Sequence, residues 1–131
     1  ADLLITINRH SSALDKLYSI LGFYKNYTLK PPVEGGCPIL NTAVDADDAY
    51  PFLKKKAKNA LNEMLGGLQQ IIELGIARQE IKPGINSRKT SEMIFAQIEG
   101  GIMMSKVSDD VSLLNSVLDN LKTYIETHLT R

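Results

Sequence analysis

Across 131 residues there is one cysteine, no tryptophan and no excess of either charge. A single cysteine, Cys37, rules out an intrachain disulfide and makes a reducing compartment the natural setting. It reads as a small buried residue, since no neighbouring cation in the sequence would activate its thiol. Lys plus Arg and Asp plus Glu number 15 each. A free-standing nucleic-acid binder shows a basic excess, because neutralising phosphates supplies much of its affinity. The densest basic cluster here is Lys54, Lys55, Lys56 and Lys58. No apolar run approaches the roughly 20 residues that cross a bilayer. No basic leader with an apolar core opens the sequence, so a cytoplasmic location is expected and no membrane partner.

Catalytic and metal-binding signatures are equally scarce. His10 and His128 stand near opposite ends, without a Cys/His cluster or metalloprotease spacing, so no metal site is expected. Asp45, Asp47 and Asp48 resemble the opening of a calcium loop but lack its glycine and closing glutamate. They read better as charges ahead of a helix start. Gly35-Gly36 runs into Cys37-Pro38 rather than the Gly-Lys of a phosphate loop, and no nucleophile elbow is present. No titratable residues converge. The chain is therefore not expected to be an enzyme or to hold a cofactor.

What the sequence does contain is helical periodicity. Hydrophobic residues make up 44% and charged residues 23%, which excludes disorder and suits one compact domain over residues 1–131. Leu3, Leu4 and Ile7 have the spacing of a helix end. Ser11 or Ser12 caps a second helix bearing Leu14, Leu17, Tyr18, Leu21 and Tyr24, which ends before Pro31. Pro51 suits the first turn of a helix running to about Leu74, with Gly75 as a left-handed cap. Gly66 and Gly67 inside it suggest a kink or a close backbone contact. A further helix runs from about Ser87 to Val107. Ser108 or Asp109 then caps a last one, striped by Leu114, Val117, Leu118, Leu121, Ile125 and Leu129. No stretch alternates with β-branched enrichment. The class is all-α, a bundle of about five to six helices.

Met64, Met93, Met103 and Met104 suit either core or an adaptable apolar pocket. Glu99-Gly100-Gly101 suggests close helix approach, within the domain or across a dimer, or a local kink.

The run Gly36-Cys37-Pro38-Ile39-Leu40-Asn41-Thr42-Ala43-Val44-Asp45-Ala46-Asp47-Asp48 resembles a segment common in tetracycline-repressor-type (TetR-like) transcription regulators. Supporting matches follow in order: Ile71-Ile72-Glu73-Leu74-Gly75, Gln79-Glu80-Ile81, and Phe95-Ala96-Gln97-Ile98-Glu99-Gly100-Gly101. The resemblance covers roughly residues 12–129. One departure is the missing tryptophan that many relatives carry in the middle helix, which leaves the shape of the pocket open.

The resemblance implies a ligand-sensing and dimerisation domain of a bacterial regulator, a repressor released from DNA by a small, largely apolar effector. It implies that a helix-turn-helix domain precedes these residues in the full protein and makes all specific DNA contact, with residues 1–8 as the tail of the linking helix. Combined with the apolar pattern, it predicts a cavity lined by Tyr18, Leu21, Cys37, Leu40, Asn41, Val44, Met64, Leu68, Ile71, Ile94 and Ile98. It also predicts a homodimer through Ser91–Val107 and Val111–Leu129. That interface would use Glu99, Gly100, Gly101, Met103, Leu114, Val117, Leu118, Leu121 and Ile125. The competing class is an all-helical protein–protein interaction module without a ligand.

Overall fold

A computed structural model describes residues 2–25 and 51–131, and they form five helices. These are α1 (Asp2–Asn8), α2 (Ala13–Tyr24), α3 (Pro51–Ala77), α4 (Ser87–Ser108) and α5 (Ser112–Tyr124). A π-helical turn, Ile125–Leu129, extends α5. Among the described residues there is no strand; an isolated antiparallel bridge joins Ile81 to Thr130. The all-α reading holds.

Ser12 caps α2 as its position suggests, its hydroxyl accepting from the Asp15 N–H at 3.0 Å. Asn86 does the same for α4, accepting from Lys89 N–H. Three expectations about helix ends and interiors give way to different geometry. Gly75 does not end α3; it is buried within the helix, which continues to Ala77. The left-handed position falls instead on Gln79 (φ 63°). Around it Glu80 N–H bonds the Gly75 carbonyl and Gln79 N–H the Ile76 carbonyl, the paired bonds of a Schellman closure. Gly66 and Gly67 lie inside the continuous α3 and make no close approach to another described segment, since a Cβ added at either finds nothing within 4 Å among the described residues. Asp109 does not cap α5. It ends α4 in a left-handed conformation (φ 52°), and Asp110 accepts from the hydroxyl and backbone N–H of Ser112. Those two bonds hold the Asp110 carboxyl below its ordinary range.

The core gathers one face from each long helix. Leu17, Ile20, Leu21 and Tyr24 of α2 meet Leu65, Leu68 and Ile72 of α3, then Ile94, Phe95, Ile98 and Ile102 of α4. The α5 stripe supplies Leu114, Leu118, Leu121, Ile125 and Leu129. From Leu121 that stripe takes two four-residue steps in a row, each drifting about 40° past a full turn. The wider π turn, closed by Thr130 N–H onto the Ile125 carbonyl, absorbs this drift and returns Leu129 to the core.

Two buried hydroxyls stitch α4 to its neighbours. Ser91 donates to the Leu65 carbonyl at 2.7 Å, and Ser105 accepts from the Leu114 N–H at 2.8 Å. Leu114 sits in the first turn of α5, where no helical carbonyl is available to its N–H. Ser105→Ala is therefore expected to cost about 1–3 kcal/mol, the penalty for stranding a buried donor. Ser91→Ala should cost less, because the Leu65 carbonyl retains its place in the α3 ladder. Urea midpoints compare the two; equal losses would contradict this account.

Candidate ligand groove

One face of α3 repeats Ala60, Met64, Gly67, Ile71 and Leu74 at alternating four- and three-residue spacing, an apolar strip along the helix. Across it lies α1, contributing Leu3, Leu4 and Ile7, with Ile20 of α2 and Leu68 closing the floor. As the described residues define it, the groove encloses about 590 Å³. That is within the usual range for small-molecule sites, ~300–1,000 Å³. Its polar members are few: Asn8, Lys16, Glu63 and Gln70. Gly67 matters most for its shape. Without a side chain the middle of the floor stays low, and no described residue comes within 4 Å of where its Cβ would stand.

The geometry of the α1–α2 elbow decides how α1 stands against α3. The Glu80 carboxylate accepts from the backbone N–H groups of Ala13 and Leu14, both at 3.2 Å. Arg78 donates to the Ser11 carbonyl at 2.6 Å. The turn after α3 thus caps the first turn of α2 and grips the segment leading into it. Gly75 completes the joint: its missing side chain admits Ile81 and the methyl of Ala13. From that anchored elbow α1 brings Leu3, Leu4 and Ile7 to the groove over α3.

The residues expected to form one cavity are divided. Met64, Leu68 and Ile71 line the groove. Tyr18 and Leu21 open instead onto a second hollow of about 210 Å³ between α2 and α5, beside Asn115, Leu118, Asp119 and Lys122. There burial pushes the Tyr18 phenol above its ordinary range, against a hydrogen bond with Thr130 that pulls it down. Ile94 and Ile98 are 1% exposed and border neither hollow. They fill the space between helices. Cys37, Leu40, Asn41 and Val44 lie outside the described residues.

Leu3, Leu4, Ile7, Lys16, Ile20 and Ala60 were not among the expected lining. Their signal was available in part: α1 is too short to need three large apolar residues for itself. On α2 the pair Lys16 and Ile20 lies one helical position away from the stripe through Tyr18 and Leu21.

The expected interface residues also separate. Leu114, Leu121 and Ile125 are 0% exposed and Leu118 5%, so they belong to the chain's own core and cannot reach a second copy. Gly101 is buried as well, receiving Leu114 and Val117 across the α4–α5 contact; its close approach is within the domain. Both carboxylate oxygens of Glu99 lie out of solvent. Outward-facing apolar surface does exist, at Met103 (48%), Met104 (41%), Val107 (80%) and Leu113 (36%), next to the partly buried Gly100 and Val117. No three His, Cys, Asp or Glu side chains gather among the described residues. No helix among them is long and apolar enough to cross a membrane.

Comparison with known proteins agrees with this architecture. The family model for the tetracyclin repressor-like C-terminal domain matches residues 13–121. An uncharacterized HTH-type transcriptional regulator in the lacX 3'region of Lactococcus lactis subsp. lactis is 24% identical over 120 residues, covering 92% of this chain and 59% of that protein. The crystal structure of a TetR transcriptional regulator from Chloroflexus aurantiacus superimposes with a TM-score of 0.92 at 29% identity, covering 98% of this chain and 65% of that one. A TetR-family transcriptional regulator from Cytophaga hutchinsonii gives 0.85 at 25% identity, covering 99% and 65%. The chain thus spans about three-fifths to two-thirds of the relatives it matches.

Proposed function

Because the chain belongs to the tetracyclin repressor-like C-terminal domain family, the regulatory part of TetR-family transcriptional regulators, we propose that it senses a small, largely apolar effector in the groove between α1 and α3. The observation that carries this reading is the groove itself. An apolar floor with a glycine at its centre is walled by a helix whose far end points away from the elbow. In the parent regulator α1 is the tail of the helix leading to a preceding helix-turn-helix domain, which makes the specific DNA contacts. An effector seated between α1 and α3 favours one setting of α1 over another. By differential affinity it shifts the population of DNA-competent repressor, acting in the cytoplasm.

Two copies of the domain associate through the outward apolar strip of α4 and α5, where Met103, Met104, Val107 and Leu113 replace the buried leucines as the contact residues. A two-fold pairing there sets α4 and α5 against their counterparts as a four-helix interface. The pairing helices are then Ser91–Val107 and Val111–Leu129, with Met103 in the interface as expected and Met104, Val107 and Leu113 beside it in place of the buried leucines. This chain alone carries no net charge and does not bind DNA specifically.

Gly67→Leu tests the sensor reading with effects of opposite sign. The new side chain meets no described residue within 4 Å at its Cβ and replaces a poor helix former, so the domain is expected to gain about 1 kcal/mol of stability. The same side chain fills the centre of the groove. Decanol and biphenyl should raise the melting temperature of the wild-type chain and leave that of the variant unchanged. Equal responses from both proteins would remove the groove from consideration.

A further inference from the structure

The polar members of the groove are not spread evenly along it. Glu80 fixes the first turn of α2 to the C-terminal end of α3, so Lys16, within a turn of Leu14, lies toward that end. Asn8, the last residue of α1, enters the same elbow. Gln70 stands on the C-terminal half of α3, seven residues and about 10 Å of helix beyond Glu63. The groove therefore has a donor-bearing end, with an ammonium and two carboxamides, and an opposite end where Glu63 is the charged group. Lys16 is half-buried, and no carboxylate of the described residues pairs with it. A cation partly withdrawn from water beside apolar surface favours an anionic neighbour.

We propose that the groove is selective for amphiphilic acids: molecules with an apolar body lying over Met64, Gly67 and Ile71 and a carboxylate held at the elbow by Lys16, with Asn8 and Gln70 as further donors. The inference rests on the groove being the sensor site and adds the chemistry of its ligand. A carboxylate at this end touches α1 and α2 where they join. It ties ligand charge to the setting of α1, and the apolar body supplies most of the contact area. Glu63, at the other end, repels a second acid group and selects against dicarboxylates.

The test compares three probes that share one apolar chain and differ at the head: decanoate, decanol and decylamine, each below its micelle-forming concentration. Decanoate is expected to bind the wild-type chain about tenfold more tightly than decanol, the usual worth of one charge-assisted hydrogen bond. Raising the salt concentration should narrow that gap, leaving decanol unaffected. Lys16→Gln should abolish the preference, bringing decanoate and decanol to the same affinity, while Lys16→Arg keeps part of it. Equal affinity for the three probes, preference for decylamine, or a decanoate preference that survives Lys16→Gln overturns the proposal. Failure of all three probes to bind removes the sensor reading, and the head-group assignment falls with it.

Discussion

Leu121→Glu is expected to unfold the domain, whereas Val107→Glu should leave it folded and separate the two copies. Leu121 is 0% exposed, enclosed by the faces of the other helices, and Val107 is 80% exposed. A carboxylate forced into the first position has no partner. It costs on the order of 5 kcal/mol or more, a large part of the roughly 5–15 kcal/mol that holds a domain together. At Val107 the same carboxylate remains in water in the free chain and is desolvated only when a second copy covers it. Circular dichroism and light scattering read the two effects separately. A folded monomer from Leu121→Glu would mean that this leucine faces another chain after all. A persistent dimer from Val107→Glu combined with Met103→Glu would take α4 out of the interface.

The second large effect is expected at Gly75. A methyl placed there would stand 2.5 Å from Cδ1 and 2.8 Å from Cγ1 of Ile81, with Ala13 Cβ at 3.1 Å. Ile81 cannot simply swing aside, since it is 0% exposed and its backbone is held in the bridge to Thr130. Gly75→Ala should therefore lose about 2–3 kcal/mol despite the better helix propensity of alanine. The cause can be isolated by a double-mutant cycle with Ile81→Ala. The new methyl then enters the space the isoleucine leaves, so the double mutant should lose clearly less than the sum of the two single losses. Simple additivity would show that the contact is not the reason.

The helices were legible because their causes are local. Ser12, Pro51 and Ser87 stand at or beside real helix starts, and the leucine–isoleucine spacing of α5 matches the face that it buries. What periodicity cannot state is which neighbour a buried face meets. From the sequence the α5 stripe is expected to face a second copy. In the fold it packs mainly against α4 and also against α2, and its leucines and isoleucines are buried there. Gly75 failed as a cap for a similar reason, because a glycine signals either backbone freedom or close approach. Only the position of Ile81, six residues away and folded back, distinguishes the two. The groove was half visible: Met64, Leu68 and Ile71 follow from the α3 pattern. The role of α1 as opposite wall depends on the Glu80 and Arg78 contacts, between residues 66 and 67 positions apart.

Those long-range contacts meet a second set from the other side. The Glu80 carbonyl accepts from Arg131 N–H, and the Leu129 carbonyl accepts from Lys82 N–H. Residues 78–82 are thereby held between the first turn of α2 and the end of the π turn. During synthesis α1, α2 and α3 emerge long before residues 129–131, and until those arrive the turn that grips the α1–α2 elbow lacks one of its two anchors. Loop-closure entropy opposes joining such distant segments early. The elbow should therefore be among the last parts of a nascent chain to become rigid, and α1 acquires a defined setting only once the opposite end of the domain has been made.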